Sequence, residues 1–243
     1  MTRGGAPRIL ALWSAPRCRS TAFFRMMLER GDFQAVHEPF SYLAEFGEVT
    51  LEGSTVTSEA ALLARLRELA STRPLFFKVT TDERYPGVLD DAEFQAADAA
   101  HAFLIRSPRE TIASYIRINP AVRPEQIGFG HQLELFERVR AATGRTPFVM
   151  DAARLLADPA SVVADYCAAM GIEFRADALS WRPGARTEWG PSTKWHQEVS
   201  QTSGFGVAAP AAAAAGLIDG DERLAAILDY QQPFYERLLA HAV

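Results

Sequence analysis

Short apolar runs alternate along this chain with longer stretches in which apolar residues return every three or four positions. The runs at 8–13, 34–36, 75–79, 101–106 and 147–150 read as strands, being brief and almost continuously apolar. The stretches at 20–30, 58–72, 108–118, 124–143, 159–171 and 221–241 carry the helical period. Strands without polar alternation are buried on both faces. Their alternation with helices predicts an α/β fold of three layers, α/β/α, with a central and mostly parallel sheet. Against a prior of ~150 residues per domain, the 243 residues are read as a single domain over 1–243.

Two helix starts carry their own signals. Ser107-Pro108-Arg109-Glu110 has the spacing of a capping box with Pro at the first helical position, and Asp158-Pro159 repeats the cap-and-proline pair. Residues 183–206 break every period with Pro183, Gly184, Gly190, Pro191, Gly204 and Gly206. They keep Trp189, Trp195 and Phe205, so the expectation is a long ordered loop with a function. The alanine-rich stretch 207–216 receives no function.

Composition narrows the class. Hydrophobic residues make up 48% and charged residues 23%, ordinary values for a soluble globular chain. A net charge of −5 argues against a general nucleic-acid binder. Arginine is unevenly placed, however. Residues 1–30 hold six against the single acid Glu29, and residues 101–123 hold four against Glu110, which points to a local anion pocket. No run approaches the ~20 apolar residues of a membrane span. Cys18 and Cys167, without a secretory leader pattern, read as reduced thiols of a cytoplasmic protein.

The chemistry concentrates where the first strand ends. Trp13-Ser14-Ala15-Pro16-Arg17-Cys18-Arg19-Ser20-Thr21 is a strand end, a polar loop and a helix start. Such a loop offers free backbone N–H groups, the positive end of a helix dipole and two hydroxyls to one point, the requirements of a phosphate-like anion. It is not the nucleotide loop G-x-x-x-x-G-K-[ST], since residues 13–24 contain no Gly and no Lys. Where a triphosphate site wants an Asp for Mg²⁺, the strand near 105 ends in Arg106 and Ser107. Arginine in place of metal suits a donor whose transferred group carries one negative charge, such as a sulfonyl.

Pro16-Arg17-Cys18-Arg19-Ser20-Thr21, followed later by Arg106-Ser107-Pro108-Arg109-Glu110-Thr111-Ile112-Ala113-Ser114, resembles the sulfotransferase family that uses 3′-phosphoadenosine-5′-phosphosulfate (PAPS). The resemblance covers roughly residues 1–120 well and the remainder weakly. It implies the nucleoside-triphosphatase-like sulfotransferase fold, with PAPS as co-substrate, 3′,5′-ADP as product and no metal. The first loop, Arg17, Cys18, Arg19, Ser20 and Thr21, would grip the 5′-phosphosulfate. Arg106 and Ser114, eight residues on, would hold the 3′-phosphate, with Arg109 a further candidate. The chain departs from many members in carrying Cys18 and Arg19 where Ser and Gly are common.

The same resemblance suggests further roles. Arg17 would stabilise the leaving phosphate; Glu38 is the first candidate for the general base and His37 the second; Lys78 would meet the leaving oxygen. Ser192, Lys194 and Trp195 look like part of the late loop that closes over the nucleotide. The expected acceptor is a small hydroxylated molecule, a bacterial specialised metabolite or a carbohydrate, walled by Phe40, Tyr42, Phe46, Tyr115, Phe129 and His131. No nucleic acid or membrane partner is expected, and the oligomeric state stays open. Two other readings stand beside this one: an atypical small-molecule kinase, and a nucleotide-binding domain without catalysis.

Overall fold

The computed structural model describes residues 8–206, 216 and 218–243; the side chains of residues 191–194 lie outside that description. The five predicted strands form one sheet: β1 (Ile9–Ser14), β2 (Gln34–His37), β5 (Leu75–Thr80), β6 (Ala99–Ile105) and β7 (Phe148–Asp151). Their order is β2-β5-β1-β6-β7, and every neighbouring pair is parallel. All six residues of β1, the middle strand, are buried, which explains its lack of alternation.

Helices α1 (Ser20–Arg30) and α8 (Pro159–Met170) pack on one face, where Phe23 meets Tyr166 edge-on at 4.8 Å between ring centres. Helices α3 (Glu59–Thr72), α6 (Phe129–Thr143) and α10 (Glu222–Leu239) pack on the other. The chain leaves β1 towards β2 and later returns across it to β6. Right-handed crossovers therefore change face at β1, and the crevice that results lies beyond the carboxyl ends of the strands. Among the described residues nearly all the buried apolar side chains belong to one contiguous cluster.

The structure adds elements that the periodicity passes over. These are helix α2 (Pro39–Phe46), strands β3 (Val49–Leu51) and β4 (Ser54–Val56), helices α4 (Pro86–Asp90), α7 (Ala152–Ala157) and α9 (Gln197–Ser200), and short turns at Phe94–Asp98, Ala176–Leu179 and Thr187–Trp195, while α5 (Pro108–Tyr115) answers to the helix expected over 108–118. The β3–β4 hairpin turns through Glu52 and Gly53, both at positive φ, a turn that sequence rules expect of Asn-Gly.

Three expectations change. The helix expected over 124–143 is a 3-10 turn at Pro124–Ile127 and then α6, divided by Gly128 at φ 87°. Helix α5 stops at Tyr115, before residue 118. Asp158 caps α8 as expected, accepting from Ser161 N–H at 3.1 Å, whereas Ser107 makes no side-chain cap. Glu110, the expected partner of that box, turns instead to Arg106 at 3.3 Å.

Candidate active site

A cavity of about 540 Å³ opens beyond the ends of β1, β5 and β6. Backbone strain gathers around it. Among the described residues four other than glycine have positive φ, and three of them, Arg17 (63°), Arg19 (67°) and Glu38 (50°), line this cavity. Strain of that kind persists where the surrounding structure enforces it, and it clusters at functional sites. The left-handed residues fold the 15–19 loop into a tight turn ahead of α1, a geometry in which successive N–H groups converge.

Three guanidinium groups meet at this end. Arg17 donates from Nε to Ser114 Oγ at 3.0 Å and from Nη1 to the Trp195 carbonyl at 2.8 Å. Arg106 donates to the Arg17 carbonyl at 3.0 Å. Arg19 Nε is closed off from solvent and has no hydrogen-bond partner among the described residues. Burial lowers the pKa of Arg17, opposed by Glu198 and reinforced by Arg106 and Arg19. Burial also lowers that of Arg19, again with Arg106 adding to it. Glu198, which faces Arg17 at 3.7 Å, is 77% exposed and offsets little of this crowding. Like charges, half desolvated and with an unpartnered donor, fit an anion of high charge.

Next to the arginines, Lys78 and Glu38 form a buried ion pair. Lys78 lies on β5 opposite His37 of β2, and its Nζ also reaches Ser20 Oγ at 3.4 Å. Glu38 Oε2 accepts from Thr80 N–H at 2.8 Å and from Ser41 O–H at 2.9 Å.

His37 lies behind this pair. Its Nδ1 is 2.8 Å from Tyr42 Oη, which donates to the Trp189 carbonyl at 2.7 Å, so His37 Nδ1 carries the proton. Burial, with Lys78 and His196 nearby, holds it neutral well below the usual histidine range. It thus braces α2 against the 187–195 turn.

The structure brings Arg17, Arg19, Ser20, Thr21, Glu38, Lys78, Arg106, Ser114 and Trp195 to one cavity wall. Cys18 points inward: it is fully buried and its thiol is pushed up to about 12 by burial, leaving only its backbone to face a ligand. Arg109 pairs at 2.6 Å with Asp219 at the surface. Ser192 and Lys194 lie outside the described side chains. Tyr42 and Tyr115 line the cavity, while Phe40 and Phe129 belong to the core and Phe46 is 49% exposed. His131 sits beside the Thr81 carbonyl at 3.2 Å.

Sequence reasoning missed Ser41, Thr80, Asp82, His196 and Glu198, which also line the cavity. Of these only Asp82 carried a signal, an acid just past the carboxyl end of a parallel strand. His196 accepts or donates at 3.0 Å to Thr21 Oγ1, and burial together with Lys78 and Arg17 lowers its pKa to about 2. Among the described residues no group of three metal-ligating side chains occurs, and no helix is long and apolar enough to cross a membrane.

A family model described as sulfotransferase domain matches residues 7–242. The chain belongs to the sulfotransferase domain family. Two proteins of Arabidopsis thaliana are related to it. Branched-chain-amino-acid aminotransferase-like protein 1 is 26% identical over 210 residues, covering 82% of this chain and 37% of the relative. Branched-chain-amino-acid aminotransferase-like protein 2 is 24% identical over 208 residues, covering 81% and 36%. The chain thus spans little more than a third of the length of these relatives.

Two solved sulfotransferase domains share the fold. The domain from the curacin biosynthetic pathway aligns with a TM-score of 0.53 at 14% identity, covering 93% of this chain and 98% of its own. The domain from the olefin synthase of Synechococcus PCC 7002 aligns at 0.50 and 15%, covering 90% and 98%.

Proposed function

We propose that this sulfotransferase domain moves a sulfonyl group from PAPS to a hydroxyl of a small-molecule acceptor. One observation carries the reading: Arg17 and Arg19 from the turn after β1, Arg106 from the end of β6 and Ser114 from α5 meet at one end of one cavity on the same edge of the sheet. A donor with phosphates at both its 3′ and 5′ positions matches that paired arrangement.

In this reading Arg106 and Ser114 hold the 3′-phosphate, while the 15–21 loop and Arg17 hold the 5′ end. Charge grows on the leaving phosphate as the sulfur–oxygen bond lengthens, and a fixed guanidinium with converging N–H groups stabilises it. Lys78, beside Ser20, is set to meet the leaving oxygen. The acceptor enters past Tyr42 and Tyr115, and its proton passes to a carboxyl on that side of the cavity. Of the two candidates from the sequence, Glu38 lines the cavity and His37 does not.

The test is ligand-induced stabilisation. 3′,5′-ADP without Mg²⁺, at a hundredfold excess over its Kd, is expected to raise Tm by roughly 5–10 °C for a chain of this size. PAPS with a panel of alcohols and phenols should then release 3′,5′-ADP. Stabilisation by Mg·ATP alone would overturn the reading in favour of a kinase. Binding of 3′,5′-ADP without turnover of PAPS on any acceptor would favour a nucleotide-binding domain.

A further inference from the structure

Glu38 is fully engaged. One carboxyl oxygen pairs with Lys78 and the other accepts from Thr80 N–H and Ser41 O–H. A carboxylate whose lone pairs already serve an ammonium and two other donors is poorly placed to take a further proton. Four residues along from Lys78, beyond the end of β5, stands a second carboxyl in the opposite condition. Asp82 lines the same cavity, and its Oδ1 is shut off from solvent with no hydrogen-bond partner among the described residues. The rest of the carboxyl is held by its own backbone N–H and by the Thr80 hydroxyl, which is shared, lying also 3.4 Å from Glu38 Oε2 and 3.3 Å from Ser41 Oγ. That hydroxyl has a single proton to give.

The backbone fixes Asp82 rigidly. Thr81 N–H donates to the Ser14 carbonyl at 2.9 Å, and Thr81 Oγ1 reaches the carbonyls of Ser14 at 3.2 Å and Gly128 at 3.0 Å. Gly128 approaches so closely that a Cβ there would lie 2.6 Å from the Thr81 carbonyl oxygen.

The nearest charges acting on Asp82 are the acids Glu38 and Glu83. Glu38 lies at the head of α2, Glu83 follows in the same segment, Tyr85 precedes α4, Tyr115 ends α5, and His131 on α6 is held by the Thr81 carbonyl. Lys78 is committed to Glu38, and Arg117, which also lines the cavity, is exposed. Two neighbouring carboxyls are therefore treated differently: one is paired with an ammonium, and the other has no ion-pair partner among the described residues. Burial first, then the charge of Glu38, pushes the Asp82 carboxyl up to about 6. A pair whose environments differ in this way separates the holding role from the proton-transfer role.

Resting on the sulfonyl-transfer reading, we propose that Asp82, and not Glu38, takes the proton of the attacking acceptor hydroxyl, while Glu38 positions Lys78. The acceptor oxygen forms its bond to sulfur as the bond from sulfur to the 5′-phosphate oxygen breaks. The electron pair of the broken bond leaves on 3′,5′-ADP, and the hydroxyl proton moves to the Asp82 carboxylate and then to water. The acceptor class this serves is an alcohol or phenol that does not ionise unaided.

The experiment compares Asp82→Asn and Glu38→Gln with the parent protein in three measurements. First, 3′,5′-ADP stabilisation is recorded, and Asp82→Asn is expected to keep the affinity within threefold. A parent protein that fails to bind 3′,5′-ADP overturns the donor reading and this inference with it, whereas normal binding isolates Asp82. Second, release of 3′,5′-ADP from PAPS is followed with phenol and with 4-nitrophenol, which ionises readily near neutral pH. Asp82→Asn should lower kcat/KM for phenol by about 10²–10⁴-fold, lower that for 4-nitrophenol by less than about tenfold, and remove an acidic limb near pH 6. Glu38→Gln should lower both rates alike and keep the limb; the reverse pattern assigns the proton to Glu38 and overturns the proposal.

Third, independently of any acceptor, carboxyl ¹³C resonances of the 3′,5′-ADP complex are titrated. One Asp carboxyl should titrate near pH 6 and be missing in Asp82→Asn. An Asp82 that titrates in the ordinary carboxylate range overturns the assignment even if no phenol is turned over.

Discussion

Replacing Glu38 by Gln leaves Lys78 charged and sealed inside the protein. The Lys78 side chain is 2% exposed and that of Glu38 7%, so neither group has water to fall back on. Breaking a buried pair by removing one partner costs about 3–5 kcal/mol. Gln retains one acceptor oxygen, which Thr80 N–H and Lys78 must share, so the lower end, ~3 kcal/mol, is expected. Removing the cation with Lys78→Met is milder, ~2 kcal/mol, because Glu38 keeps Thr80 N–H and Ser41 O–H. The double variant buries no charge, and its cost should be ~1 kcal/mol or less.

The singles therefore sum to roughly 5 kcal/mol against ~1 for the double, a coupling of about 4 kcal/mol. For a chain of this length Glu38→Gln alone should lower Tm by roughly 6–12 °C, with most of the loss recovered in the double variant. Urea unfolding at pH 7, followed by tryptophan fluorescence, measures all four proteins. Single variants that each cost less than about 1 kcal/mol, or a double variant equal to their sum, would refute the buried-pair argument.

Three further outcomes are expected. Arg106→Ala should weaken 3′,5′-ADP about 10–100-fold by titration calorimetry and leave 5′-AMP within a few-fold, since Arg106 is assigned to the 3′-phosphate; equal losses for both ligands would remove that assignment. His101 accepts from Trp13 Nε1–H at Nδ1 (3.0 Å), and its Nε2 faces the Phe94 carbonyl at 3.3 Å. Burial holds its pKa down to about 4. The unfolded chain therefore binds a proton near pH 6.5 that the native state refuses. Stability present above pH 6.5 should drain by up to roughly 3 kcal/mol on the way to pH 4, and His101→Asn should flatten that part of the urea–pH profile. Gly128→Ala combines φ 87° with a Cβ 2.6 Å from the Thr81 carbonyl oxygen; a loss of about 2–4 kcal/mol is expected, and a loss under 0.5 would show that the backbone there yields freely.

Much of the fold was legible because long-range order here follows from local pattern. Strands such as Ile9–Ser14 run almost continuously apolar only because helices cover both faces, and that fact is written in the strand itself. Helix α1 has the bounds its period suggests, from Ser20 to the arginine before Gly31. The elements that escaped are short or set by a single backbone state. Helix α2 begins behind a left-handed Glu38, and Gly128 cuts a long periodic stretch because the Thr81 backbone presses against it. No propensity announces either, since each answers to a neighbour far along the chain.

The site divides in the same way. Local pattern along the chain specified the parallel α/β architecture, the arginine-bearing turn after the first strand, and the spacing of Arg106 and Ser114 after a later one. It could do so because helix starts and strand ends are local events with local chemistry. Packing settled which carboxyl pairs with Lys78, that Cys18 faces the core, and that Asp82 lies beside Glu38 with no cation against it among the described residues. Those outcomes depend on burial and on through-space distance between residues from separate elements. Both quantities come into being when the sheet assembles, and neither has a signature in the order of residues.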